Sequence, residues 1–176
     1  MDSFTYPPDR ADAPNDIAPY EERLDTVAQQ TSAIDMLIGL ARERICVFDV
    51  DLSQCDWNSA VRADALSSFL LATRNARLDI IVHDTSWIET SCPRLTTLLR
   101  RCSYAMTIYK TGAGARGAMD PLIIVDGRHH LYRYHVQQSR ATLSVGMPEA
   151  TQPLMTRFDE IWATGEPGVT ATVLGL

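Results

Sequence analysis

The 176 residues are 45% hydrophobic and carry a formal net charge of -6, which fits a single globular domain with a sizeable core. No apolar run approaches membrane-spanning length, and the acidic start MDSFTYPPDRADAPND lacks the apolar centre of a signal peptide, so a cytoplasmic location is expected by elimination. Cys46, Cys55, Cys92 and Cys102 include no CxxC pair and read as buried free thiols rather than a disulfide framework.

Residues 1–30 hold seven acids and two arginines, so most of the negative charge belongs to this segment. With four prolines and few large apolar side chains, it reads as an acidic flexible lead. Folding signals begin at Ser32 and Asp35, a variant capping box, and Ile34, Leu37, Ile38 and Ala41 then share one face of a helix over 33–43. Ile45–Leu52 is dense in strand formers and places Asp49 and Asp51 on one side of a sheet. Residues 59–75 form the second helix, with Val61, Ala65, Phe69 and Ala72 as its apolar line and Leu66 and Leu70 widening it.

The second strand is Arg77–Asp84, and a helix opened near Pro93 leads to a third strand over Tyr104–Tyr109. After the glycine-bearing loop 112–117, residues 121–126 supply a fourth strand, and Gly127-Arg128 turns it into an antiparallel fifth over His129–His135. A final helix follows Met147-Pro148, and residues 165–176 make an edge strand or a tail. Alternating strands and helices give an α/β fold, a mainly parallel or mixed β-sheet flanked by helices, with no internal repeat.

Sites in such sheets gather beyond the carboxyl ends of strands. Asp49, Asp51, His83, Asp84 and Asp126 fall at strand ends and make a candidate polar pocket, although polar residues end strands in any case. His83 and Asp84 offer a base beside a carboxylate, but adjacent strand residues point to opposite faces, which favours a structural histidine. On the fifth strand, His129, Leu131, Arg133 and His135 share one face while His130, Tyr132 and Tyr134 share the other. Arg133 with a histidine suits a phosphate, and an edge strand kept soluble by polar side chains is the plainer reading.

Other chemistry has little support. Neither HExxH nor a compact Cys/His quartet occurs, so no metal is expected, and the glycines of 112–117 match neither a P-loop nor a dinucleotide fingerprint, so no cofactor is expected. Between Arg100 and Arg140 seven basic residues face two acids, enough to hold a small anion and too thin for a strong nucleic-acid signal. Trp57 and Trp87 follow strand ends and can line a pocket rim or simply pack.

The order of elements resembles a single phospholipase D-like domain over residues 31–164, most of all at Leu122-Ile-Ile-Val-Asp-Gly127. Active members of that family carry HxKxxxxD, in which the histidine attacks phosphorus and the lysine binds phosphate. Asp126 matches the final Asp, but Met119 stands where the histidine belongs and Pro121 where the lysine belongs. Neither can do that chemistry. Lys110, the only lysine, lies 16 positions before Asp126.

The resemblance therefore implies a non-catalytic phospholipase D-like module that binds a phosphate-containing small molecule or a protein partner. Its expected ligand-binding residues are Asp49, Asp51, Asp84, Asp126, Arg128, Arg133 and His135. The alternative is a divergent phosphodiesterase or phosphoryl-transfer enzyme that draws on His83, Asp126, His129 and His130. Family sites combine two half-motifs, and one unit per chain makes a homodimer possible. A third reading has the acidic lead bind a basic protein.

Overall fold

A computed structural model describes residues 17–172. Thr26 opens the first helix, α1 (Val27–Leu40): its hydroxyl accepts the Gln29 backbone N–H at 3.2 Å, and the Gln29 side chain answers the Thr26 N–H at 3.1 Å. This reciprocal capping box lies six residues ahead of the one expected at Ser32. The reason is Gln30, a polar residue in the buried stripe, whose amide donates to the Ser139 carbonyl at 2.6 Å and so satisfies itself inside.

Before it, Tyr20–Leu24 forms strand β1, inside the segment read as a flexible lead. The strands that follow are β2 (Arg44–Asp49), β3 (Arg77–Val82), β4 (Met106–Lys110), β5 (Leu122–Val125), β6 (His129–Arg133), β7 (Ala141–Val145) and β8 (Glu166–Pro167). Between them run α2 (Ala60–Ala72), α3 (Ser86–Ser91), α4 (Pro93–Arg101) and, after β7, α5 (Pro148–Trp162). The fold is thus α/β with a mixed sheet of eight strands ordered β1-β7-β6-β5-β2-β3-β4-β8.

Parallel pairing is confined to β2–β3 and β3–β4; β5 and β6 form the expected antiparallel hairpin, and β1 and β7 extend it. Helices cover both faces, which is why β3 and β5 run apolar without alternation. Ile80 and Val82 join the core under α1, α2 and α4, while Ile81 joins Phe48, Leu122, Ile124 and Phe158 under α5.

The buried face of α2 keeps the expected Leu66, Phe69 and Leu70 and departs from the expected line at its start. Val61 is 72% exposed, whereas Arg62 is fully buried with Leu66, Phe69 and Leu70. The sheet's direction matters more for function. Because β5 runs against β2, with Leu122 opposite Phe48 and Val125 opposite Ile45, its carboxyl end lies beside the amino end of β2.

Candidate functional site

Asp49 ends β2, and Val50 to Asn58 cross over the sheet end before α2 begins. Leu52, Cys55 and Asp56 in this crossing have φ of 64°, 61° and 54°, left-handed conformations that cost a non-glycine residue free energy. Arg62 holds the loop in that shape. Its guanidinium bonds Asp35 at 2.8 Å, the Thr31 carbonyl at 3.1 Å and the Cys55 carbonyl, and lies 5.0 Å from the centre of the Trp57 ring.

The pinned loop delivers Gln54 to Arg133 at the end of β6. Arg133 donates to the Gln54 side-chain oxygen at 2.5 Å and to the Gln138 carbonyl at 2.6 Å. Beneath lies a cavity of about 20 Å³, bounded by Gln30, Asp49, Trp57, Pro121 and Arg133. A water needs roughly 10–15 Å³ of such space, so this one admits a single water and not a phosphodiester.

Desolvation pushes the Asp49 carboxyl up to about 6; Asp51 adds to the rise, and the Val50 backbone N–H and Arg133 oppose it. The Val50 contact is a 2.6 Å hydrogen bond to Asp49 Oδ1. Asp51 accepts from the Ser53 backbone N–H at 2.9 Å and so shapes the loop. The exposed Asp84 accepts from the Ser86 hydroxyl at 2.6 Å and the Ser86 N–H at 2.9 Å, and the hydroxyl bond is the main cause of its lowered pKa.

His83 is a satisfied core histidine. Its Nε2 donates to the Ala118 carbonyl at 2.6 Å, Nδ1 meets the Thr111 hydroxyl at 2.6 Å, and the ring sits edge-on to Phe48. Asp84 is turned to Ser86 and does not serve it as a partner. His135 lies beyond the end of β6, where Nδ1 accepts the Gln137 N–H at 3.2 Å.

Asp126, Arg128 and His129 lie at the opposite end of the sheet. The expected single pocket joining Asp126 to Asp49, Asp51, His83 and Asp84 does not form, since β5 is antiparallel to β2. Asp126 instead accepts three backbone N–H groups, from Arg42 at 2.8 Å, Glu43 at 2.9 Å and Arg44 at 2.8 Å. His129 Nδ1 accepts the Gly146 N–H at 2.9 Å, and burial, then Arg128, lowers its pKa against the pull of Asp126.

His130 faces α5. Thr151 spends its hydroxyl proton on the Met147 carbonyl at 2.9 Å, so at the 2.9 Å contact His130 Nδ1 must be the donor. Burial lowers the pKa of His130 as well, with Glu21 opposing. The length of β2, roughly 17–20 Å, therefore separates His83 from His129, and the four proposed catalytic groups do not meet.

Two ion-pair devices escaped the sequence reading. One is Arg62; the other is Asp120, which receives Arg157 through two bonds of 2.5 Å and the Tyr132 hydroxyl at 3.2 Å, tying β5 and β6 to α5. An arginine inside an apolar helix stripe was the available signal for the first. Among the described residues no group of three His, Cys, Asp or Glu side chains is placed to hold a metal, and no helix is long and apolar enough to cross a membrane.

The family described as Domain of unknown function (DUF7931) matches residues 26–172. No curated protein matches. Among solved structures, the chain is similar to Nuc from Salmonella typhimurium, a phospholipase D family member: 12% identity, TM-score 0.61, covering 87% of this chain and 100% of that one. NucT from Helicobacter pylori gives 13% identity, TM-score 0.54 and coverage of 86% and 100%. TrmBL2, described as an archaeal chromatin protein with a novel mode of DNA binding, gives 11% identity and TM-score 0.61 over 90% of this chain and 56% of that one. At these identities the likeness is one of fold, and the fold is that of phospholipase D family members.

Proposed function

The chain belongs to the DUF7931 family, and we propose that it is a non-catalytic phospholipase D-like module that acts by binding a protein partner at the carboxyl end of β2 and β3. One observation carries this reading: Pro121 lines a cavity of about 20 Å³ at the position where the family motif calls for its phosphate-binding lysine, with Met119 two residues earlier in place of the nucleophile. Phosphoryl transfer by a histidine nucleophile, as the family motif performs it, needs an imidazole nitrogen on phosphorus and a cation on its oxygens, in contact at once. Here the cation that lines the cavity, Arg133, is spent on Gln54 and Gln138, and His83 is spent on Thr111 and Ala118.

Of the two ligand classes expected, a protein surface fits better than a phosphate. The cavity is water-sized, and the exposed groups at this end mix both signs, with Gln54, Asp56 and Asp84 beside Arg116 and Arg140, rather than converging as a cationic pocket on one anion.

Purified protein assayed on a panel of phosphodiesters, with single- and double-stranded DNA included, is expected to give no turnover. Turnover that disappears in His83→Ala or His129→Ala, with the circular dichroism spectrum unchanged, would overturn the reading. Capture of partners by the intact chain should fall when Gln54→Arg and Asp84→Arg are combined, and capture that is indifferent to both places the binding surface elsewhere.

A further inference from the structure

The turns at the amino ends of the parallel strands carry a rim of arginines assembled from distant segments. Arg42 lies between α1 and β2, Arg74 and Arg77 between α2 and the start of β3, Arg100 and Arg101 end α4, and Arg128 sits in the β5–β6 turn. All six are exposed, and none forms an ion pair among the described residues. Arg42 and Arg77 turn back on their own loops, to the Ala41 carbonyl at 3.2 Å and the Ala76 carbonyl at 3.0 Å.

The acids at this end are largely spent. Asp126 is occupied by three backbone N–H groups, and Asp79 is paired with Arg44 at 2.8 Å. On these turns and in the first turn of α5, Glu43 and Glu149 are the exposed acids among the described residues. The chain's net charge of -6 hides this separation. So does the linear count over Arg100–Arg140, because Lys110, Arg116, Arg133 and Arg140 go to the other end of the sheet.

From the β5–β6 turn to the end of α4 the rim spans the width of four or five strands, roughly 15–20 Å at about 4.8 Å per strand. The six cations along that span allow up to about six phosphate contacts. All six cations are arginines, whose planar fork grips phosphate oxygens in pairs and stacks on bases. Tyr104, 60% exposed on the turn after Arg100 and Arg101, offers an aromatic face beside them. Leu71, 59% exposed in the last turn of α2, is the other exposed large apolar side chain beside these turns among the described residues, and two side chains on two different elements are far less than the apolar face with which a protein enters a lipid surface.

We propose that this arginine rim with Tyr104 binds single-stranded nucleic acid, at the end of the sheet opposite the site argued above. The contact is to phosphate and base face, without sequence readout.

The test is fluorescence anisotropy of a labelled 20-nucleotide single-stranded DNA with the full chain, across a salt series. Binding should weaken with a log–log salt slope of roughly 3.5 to 4, from about 0.7 per phosphate over five or six contacts. Arg74→Glu with Arg100→Glu should lower that slope by roughly 1.4 and weaken binding at least tenfold. Tyr104→Ala should weaken it roughly fivefold or more. Lys110→Glu with Arg116→Glu, at the other end, should leave it unchanged.

No binding at 20 mM salt, or binding lost only in the Lys110/Arg116 pair, overturns the proposal. Equal affinity for polyglutamate or for phosphatidylserine vesicles also overturns it, since the rim would then read negative charge alone. The rim variants are surface changes at the end of the sheet away from Pro121 and His83, and the readout is binding, so the outcome is independent of whether the other end of the sheet catalyses.

Discussion

Asp126 reaches back 84 positions in the sequence to Arg42: its Oδ2 accepts the Arg42 backbone N–H at 2.8 Å, while Oδ1 takes those of Glu43 and Arg44. The one motif residue that this chain keeps is therefore a staple. It closes the α1–β2 turn against the end of β5, and its own φ of 52° is the cost of aiming the carboxylate there.

Asp126→Ala should accordingly destabilise the fold without bearing on any reaction. Three charge-assisted bonds to backbone donors are lost at once, and a loss of about 2–4 kcal/mol is expected in urea unfolding. Asp126→Asn retains one acceptor oxygen and should lose less. A stability equal to that of the parent would show that water replaces the carboxylate at no cost.

Arg62 is the corresponding anchor at the other end. Fully buried, it bonds Asp35 and two carbonyls and holds the loop with three left-handed residues, so its removal leaves those acceptors unpaired. Arg62→Met should cost about 3–5 kcal/mol. A double-mutant cycle with Asp35→Ala should show coupling well above that of an exposed pair such as Arg23–Asp25.

The sheet and its helices were largely legible because their signals are local. Ile80-Ile81-Val82 and Leu122-Ile-Ile-Val125 announce buried strands, and Gly127-Arg128 announces the hairpin that β5 and β6 make. What escaped depends on pairing across the fold. β1 carries Glu21, Glu22 and Arg23 and shows no apolar pattern, because it is an edge strand held by β7 alone. The candidate site failed for a related reason. A strand's direction is not written in its residues, so Asp126 was grouped with acids that the antiparallel course of β5 puts at the far end.

His83 makes a discriminating test of structural against chemical roles. With one ring nitrogen on the Ala118 carbonyl and the other on Thr111, it joins β3 to the segment that leads into β5. His83→Ala should lower stability by about 1–3 kcal/mol through two lost bonds and an emptied site beside Phe48. His83→Asn, which retains a donor and an acceptor, should recover part of that loss. Equal stability in all three proteins would contradict the structural role.

Asp49 gives the fold a pH dependence of unusual sign for a carboxylate. Its folded pKa of about 6 lies above the ordinary 3.8, chiefly because ionisation there is poorly solvated. Between these values the folded state holds a proton that the unfolded chain has released. The group's stabilising contribution is therefore complete below about 3.8 and is lost as pH rises through about 6. Asp49→Asn, which cannot ionise, should gain stability relative to the parent over that window, by about 3 kcal/mol at pH 7. Chemical unfolding of both proteins at pH 4, 5, 6 and 7 provides the check, since titration of every other carboxylate cancels in the difference. A difference that stays flat from pH 4 to 7 would mean that Arg133 and the Val50 N–H fully offset the burial of the charge.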